Sequence, residues 1–253
     1  MDISIITVNS ENVLEYGVCC VVNRKSPGFN AKINWFKDIT NRGVTLVVAI
    51  EPGSKKQLGF VEITDSELAW RPVNSENNLF IHCITVFSKS TRKQSIGSKL
   101  LEYCEEIAKS RNKDGLCAMT SSGTWMANKT LFENNGFFVV EKADRFELMY
   151  KSLNDQSVAP KFNDWTAELP KYQGWNLLYA DQCPWHIKSV NDLQDHARES
   201  GINLKITKLT TPIEAQKAPS GYGTFALIKD GKLLTDHYIS KTRFKNILKA
   251  ELN

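Results

Sequence analysis

A basic turn between an apolar β-type run and an amphipathic helical pattern constrains the fold of this 253-residue chain more than any other feature. Residues 79–87 (LFIHCITVF) are apolar and β-branched, which predicts a buried strand. The turn follows at residues 92–98 (RKQSIGS). Apolar residues then recur at helical spacing, at Ile96, Leu100, Cys104 and Ile107. The sequence therefore predicts a strand, a basic turn and a helix in succession.

The predicted turn has the chemistry of an anion-binding site. The first N–H groups of a helix have no partner within the helix and carry a partial positive charge, which favours phosphate oxygens. Gly97 lets a ligand approach the backbone closely, and Arg92 and Lys93 add full positive charges. A plain capped turn has the same outline, so the neighbouring elements must decide between the two interpretations.

The rest of the first half predicts alternating strands and helices around this turn. Pro27-Gly28 is interpreted as the stop of the first helix. The predicted strands are 3–8, 45–50, 58–64, 79–87, 116–120, 138–141 and 146–150, and the predicted helices are 12–23, 33–39, 96–111 and 127–134. This order predicts an α/β (α+β) domain with a mixed central sheet.

The motif Arg92-x-x-Ser95-x-Gly97 resembles the Q/R-x-x-G-x-G/A signature of the GNAT superfamily of N-acyltransferases, with Ser95 where the first glycine is usual. Residues 128–137 (NKTLFENNGF) are similar to the helix ending in Gly-Phe that lies beside the cofactor in that family. The resemblance covers residues 1 to about 152. It implies the GNAT acyltransferase fold, acetyl-CoA as cosubstrate and a primary amine as acceptor.

The resemblance also implies which residues hold acetyl-CoA. Asn128 is a further candidate for a hydrogen bond to the cofactor, with an exposed helix-start residue as the alternative. The pantetheine arm is expected along Ile84, Thr85 and Val86, and the pyrophosphate at the backbone of Gln94, Ser95, Ile96, Gly97 and Ser98, with the side chains of Arg92 and Lys93 nearby.

Two residues are candidates for the general base that accepts the proton of the amine. Glu62 follows the alternation of its strand onto the face opposite Val61 and Ile63, and His82 titrates near neutral pH without help. The alternatives are a carboxylate on a solvated face and a core histidine. Phe132 stands where the family often has a tyrosine that protonates the leaving thiolate.

The second half begins a new α/β pattern that resembles the thioredoxin-like fold. A strand, the turn Cys183-Pro184-Trp185-His186, a helix, a strand, a hairpin across Asp230-Gly231 and a final helix follow one another. Together with the first half, this pattern resembles the YoaP-like family of two-domain bacterial proteins. The predicted domains are 1–153 and the smaller 175–253, joined by a linker at 154–174.

Cys183 is predicted to be a reactive thiol, because it precedes a helix start that stabilises thiolate. His186 holds the position of a second cysteine, and residues 223–225 lack the proline of the thioredoxin loop, so dithiol exchange is not expected. Three alternative roles remain for this turn: a monothiol site, a thiol- or metal-binding pocket with His186, and a docking surface. Two ligands are too few to predict a metal, so none is predicted.

The length of the apolar runs and the distribution of charge limit the classes of binding partner that are expected. Apolar runs such as 44–50 are too short to cross a bilayer, and a net charge of +4 is spread without a basic block, so neither membrane nor nucleic acid is expected. Six irregularly spaced cysteines suit a reduced, cytoplasmic protein. The sequence leaves open the acceptor, an acidic loop at 65–78 as its binding site, and a homodimer. The alternative to an enzyme is a non-catalytic CoA-binding or thiol-sensing protein that uses Cys183.

Overall fold

A computed structural model describes residues 3–18, 23–87 and 95–252, which form two compact units. Unit 1 comprises residues 3–18, 33–69, 73–87 and 95–162. Unit 2 comprises residues 23–32, 70–72 and 163–252. Arg92, Lys93 and Gln94 of the predicted turn lie outside the described residues, as do Cys19 and Cys20. The domain bounds 1–153, 154–174 and 175–253 stay predictions.

Unit 1 is built on a seven-stranded mixed sheet in the order β1-β2-β3-β5-β6-β8-β7. Only the β5–β6 pair is parallel among these neighbours. The predicted mixed central sheet is therefore confirmed. The strands are β1 (Ser4–Val8), β2 (Thr45–Ile50), β3 (Gln57–Asp65), β4 (Val73–Asn74), β5 (Asn78–Val86), β6 (Gly115–Ser121), β7 (Phe138–Ala143), β8 (Phe146–Ser152) and β9 (Lys161–Phe162).

Helix α3 (Ile96–Ser110) covers one face of this sheet. Its apolar residues, among them Leu100 and Cys104, share a buried core with Val61 and Ile63 of β3. Burying side chains of this size stabilises a fold by about 1.5–3 kcal/mol each. The helical spacing that predicted α3 is thus the spacing that builds the main core of unit 1.

Three of the predicted helices begin or end elsewhere. Helix α1 (Val13–Tyr16) ends at Gly17, whose φ of 79° interrupts the pattern predicted over 12–23. Helix α2 (Pro27–Ile39) begins at the proline that was predicted to stop a helix, so that prediction was wrong. Proline suits the first helical position because its N–H would be unpaired there. Helix α4 (Lys129–Glu133) is shorter than predicted.

Unit 2 has a four-stranded sheet in the order β11-β10-β12-β13, in which only β10 and β11 are parallel. The predicted hairpin turn is confirmed, since Asp230 and Gly231 both have positive φ. The strands are β10 (Trp175–Tyr179), β11 (Leu204–Lys208), β12 (Phe225–Lys229) and β13 (Lys232–Thr235), and the helices are α5 (His186–Glu199), α6 (Pro212–Gln216) and α7 (Lys241–Leu252). The thioredoxin-like resemblance stays a prediction.

The stretch predicted as a linker contains regular structure. Lys161–Phe162 pairs with β4, and Thr166–Lys171 forms a 3-10 helix after the buried Trp165. Across the described ranges, no helix has the length and apolar character needed to cross a bilayer.

Candidate active site

A β-bulge at His82 shapes the centre of unit 1. Glu62 of β3 lies opposite Cys83 of β5, whereas the next residue, Ile63, lies opposite Ile81, so His82 has no partner position on β3. An extra residue of this kind bends a strand and re-aims its side chains. Consequently Ile81 and Ile84, three residues apart, both join the core under α3.

The parallel pairing of β5 with β6 stops at the same point. Their register runs from Asn78–Gly115 to Ile81–Ala118, although β5 continues to Val86 and β6 to Ser121. β5 stays paired with β3 as far as Val86. The backbone groups of β5 that point away from β3 therefore face an opening between β5 and β6. The segment predicted for the pantetheine arm, Ile84 to Val86, borders this opening.

Helices α3 and α4 begin just beyond the carboxyl ends of β5 and β6. A Cβ added to Gly97 would lie 2.9 Å from Cδ1 of Leu131 on α4. Gly97 thus allows close packing of α3 against α4, a role that the sequence did not reveal. The first N–H groups of α3, which belong to Ile96, Gly97 and Ser98, are left at this end of the sheet.

Ser95 adopts the left-handed conformation, with φ 56° and ψ 24°, and its side chain does not cap α3. A residue with a Cβ pays roughly 1–2 kcal/mol in this region, which glycine does not. The family signature has glycine at the matching position, so the departure at Ser95 is accommodated with backbone strain.

Ser95→Gly is therefore expected to raise the free energy of unfolding by about 0.5–1 kcal/mol, measured by urea denaturation. Ser98→Gly is the matched control, because Ser98 lies inside α3, where glycine costs roughly 0.5 kcal/mol relative to serine. Equal destabilisation by both substitutions would contradict the strain at Ser95.

Glu62 and His82 lie together on the face of the sheet opposite α3. His82 Nδ1 is 3.3 Å from Glu62 Oε1, and at most 1% of either side chain is exposed. The ring of Phe80 meets the imidazole edge-on at 5.4 Å between centroids. The two residues proposed as alternative bases are thus neighbours, and the solvated-face alternative for Glu62 was wrong because this carboxylate is buried.

This pair can move a proton. A carboxylate beside Nδ1 favours the tautomer with the proton on that nitrogen, which leaves Nε2 as the acceptor. Strand alternation places His82 on the side of β5 that carries Phe80, and this side faces Glu62. The partly exposed Cys83 lies opposite Glu62 in the strand register.

The other candidates of unit 1 have structural partners. Asn128 Oδ1 caps α4, accepting hydrogen bonds from the backbone N–H of Thr130 at 2.9 Å and from its hydroxyl at 2.8 Å. Asn128 is exposed, and its side-chain oxygen caps the start of α4, which agrees with the alternative interpretation of this residue. Phe132 is buried against Phe137, with ring centroids 5.3 Å apart, and offers no hydroxyl.

The acidic loop that was considered for the acceptor is engaged with the protein itself. Asp65 lies 3.5 Å from the guanidinium of Arg111 and 3.2 Å from Nζ of Lys113. Glu67 accepts a hydrogen bond from the backbone N–H of Asn77 at 2.6 Å. These contacts favour a structural role for the loop.

The Cys183 turn of unit 2 is a separate candidate. Cys183 is partly exposed, whereas His186 is fully buried and donates from Nδ1 to the carbonyl of Ala180 at 2.8 Å. Burial, together with the charges of Arg71 and Lys32, lowers the pKa of His186 to about 3 despite that hydrogen bond. The imidazole is therefore neutral at physiological pH. Within the described ranges, no three His, Cys, Asp or Glu side chains are grouped to hold a metal.

Comparisons with known proteins agree with the predicted resemblance. Residues 203–246 match the family described as YoaP-like. The chain is 26% identical over 249 residues to the uncharacterized N-acetyltransferase YoaP of Bacillus subtilis, covering 96% of this chain and 97% of that protein.

Two of the solved structures that match cover about 60% of the chain. The PaiA N-acetyltransferase of Thermoplasma acidophilum, in complex with coenzyme A, has a TM-score of 0.45 at 16% identity over 60% of this chain and 99% of its own. A GNAT-family acetyltransferase of Staphylococcus aureus Mu50 has a TM-score of 0.43 at 20% identity over 60% of this chain and 100% of its own.

Proposed function

We propose that this YoaP-like relative of N-acetyltransferases transfers the acetyl group of acetyl-CoA to a primary amine of a small molecule or peptide. Similarity along 96% of the chain to a protein named an N-acetyltransferase supports this enzyme class. The observation that carries the proposal is the buried Glu62–His82 pair, which lies at the bulge of β5 where the described pairing of β5 with β6 ends.

The opening and the start of α3 suit acetyl-CoA. The backbone of Ile84, Thr85 and Val86 would hold the pantetheine arm, since the described pairing of β5 with β6 ends at Ile81. The N–H groups of Ser95, Ile96, Gly97 and Ser98 would bind the pyrophosphate. Arg92, Lys93 and Gln94 would contribute as the sequence predicts, and Asn128 remains a candidate through its amide N–H groups.

The reaction then needs orientation and one proton transfer. The acceptor reacts as the neutral amine, and His82 accepts the proton that this amine loses, directly or through a water, while Glu62 orients the imidazole. The amine nitrogen forms a bond to the thioester carbon, and backbone N–H groups of β5 stabilise the developing oxyanion. The C–S bond breaks, CoA leaves as thiolate, and the proton passes from His82 to thiolate or solvent.

The alternative is a CoA-binding or thiol-sensing protein without turnover. Two observations favour it, namely the buried Phe132 in place of a hydroxyl donor and the partly exposed thiol of Cys183. A homodimer and a cytoplasmic location are further proposals that rest on the sequence alone.

Incubation with acetyl-CoA and a panel of polyamines, amino acids and aminoglycosides tests the proposal. We expect amine-dependent release of free CoA thiol, together with a product 42 Da heavier than the amine, roughly the mass that acetylation adds. Tight binding of CoA without turnover on any amine would favour the sensor. Unchanged activity in a Cys183→Ser variant would show that acetyl transfer does not use this thiol.

A further inference from the structure

Two buried cations lie near the Cys183 turn within unit 2. The side chains of Lys32 and Arg71 belong to residues that are 1% and 3% exposed. Lys32 Nζ donates to the carbonyl of Gln182, the residue before Cys183, at 2.6 Å. The positive charges of both side chains lower the pKa of His186, which belongs to the Cys183 turn. Buried positive charge is costly unless an anion or several hydrogen bonds compensate it.

Within the described part of the chain, Arg71 has hydrogen bonds to neutral groups only. Its Nη1 donates to the carbonyl of Trp70 at 2.9 Å and to the hydroxyl of Thr224 at 3.2 Å, and its guanidinium carbon lies 4.6 Å from the centre of the Tyr222 ring. Among the residues that the structure describes, no carboxylate lies within ion-pairing distance of this guanidinium. The planar fork of Arg71 therefore keeps donors available for a carboxylate.

His186 supplies a complementary acceptor but no negative charge. Its Nε2 is buried and has no hydrogen-bond partner among the described residues, while Nδ1 is held by Ala180. The ring packs against Tyr222, the same ring that Arg71 covers, at 6.0 Å between centroids. Buried polar atoms are rarely left unsatisfied, so this nitrogen points to a ligand with an N–H or O–H group.

A short series of hydrogen bonds connects Arg71 to Cys183. The residue bound by Arg71, Thr224, accepts from the backbone N–H of Ala180 at 3.0 Å. Ala180 in turn holds His186, whose backbone N–H donates to the carbonyl of Cys183 at 3.2 Å. The partly exposed thiol is thus linked to the buried guanidinium through Thr224, Ala180 and His186.

We propose that unit 2 binds a small carboxylate-bearing molecule beside the Cys183 turn. Arg71 binds the carboxylate, Lys32 adds a second positive charge, and His186 Nε2 accepts a hydrogen bond from the ligand. A guanidinium fork can bind the two oxygens of a carboxylate through two parallel hydrogen bonds. The proposal is independent of acetyl transfer, since it concerns only residues of unit 2.

Alkylation of Cys183 in the full-length protein tests the site, because iodoacetate carries a carboxylate and iodoacetamide is its neutral analogue. Rates are followed by mass spectrometry of the Cys183 peptide. We expect the iodoacetate-to-iodoacetamide rate ratio to exceed that of N-acetylcysteine by about fivefold, as expected for one favourable charge contact. Malonate should slow alkylation of Cys183, and neutral malonamide should not.

Arg71→Gln should return the rate ratio to that of N-acetylcysteine. The matched control is Arg198→Gln, which removes the same charge from an exposed site on α5. If Arg71→Gln does not fold, the comparison of malonate with malonamide on the natural chain still tests whether a carboxylate binds. A natural rate ratio equal to that of N-acetylcysteine, no protection by malonate, or stronger protection by inorganic phosphate than by malonate would overturn the proposal.

Discussion

His82→Gln and Glu62→Gln are expected to lower kcat for acetyl transfer by about 10²–10³-fold and about tenfold, respectively, with little change in CoA affinity. His82 accepts the proton, so its replacement should also abolish the limb of the pH–rate profile that reports a base. Glu62 acts through His82, so its variant should keep that limb at a shifted pH. The measurement is CoA thiol release between pH 5.5 and 9, roughly the range over which imidazole bases titrate. The best amine of the panel serves as acceptor.

Glu102→Gln is the matched control for the carboxylate, because Glu102 is exposed on α3. CoA binding measured by calorimetry separates loss of chemistry from loss of folding. Activity that survives in both the His82→Gln and the Glu62→Gln variant would refute the assignment of the base. Loss of CoA binding in either would show that the buried pair supports the fold instead of the reaction.

Unit 2 is expected to lose stability as the pH falls from about 6.5 toward 3. The folded-state pKa of His186, about 3, lies below its ordinary value, so the unfolded chain binds the proton over this window. The stabilisation is complete above pH 6.5 and decreases by up to about 1.4 kcal/mol per pH unit below it. From pH 6.5 to 5 the expected loss is about 2 kcal/mol.

Urea denaturation of the full chain, followed by tryptophan fluorescence at pH 7.5 and at pH 5, measures this loss. His186→Gln, which has no imidazole to titrate, should flatten the dependence on pH. The control His237→Gln should keep it, because His237 is only partly buried and lies 2.7 Å from the carboxylate of Asp236. An unchanged dependence in His186→Gln would exclude His186 as the source.

The sequence indicated the elements of unit 1 well, because hydrophobic period and length distinguish strands from helices. It could not show how Glu62 and His82 meet. Residues 79–87 form an almost continuous apolar run, which hides a bulge, and only the register against β3 reveals the extra residue. Glu62 and His82, which the sequence offered as alternative general bases, are therefore one pair.

Helix α6 was missed although it had a readable signal. Thr211 and Glu214 form a capping box around Pro212 at the first helical position, and both reciprocal hydrogen bonds are present. The importance of Arg71 had no such signal. Its burial depends on segments distant in the chain, such as the one containing Thr224, 153 positions later.

Unit 2 is formed by three separate segments of the chain, and this has a consequence for its folding during biosynthesis. Lys32 leaves the ribosome 150 residues before Gln182, whose carbonyl it binds, and Arg71 precedes its partner Thr224 by a similar distance. Both cations therefore stay solvated through most of translation and become buried only after the last strands emerge. The Cys183 turn of a nascent chain consequently acquires its charged surroundings as one of the final steps of folding.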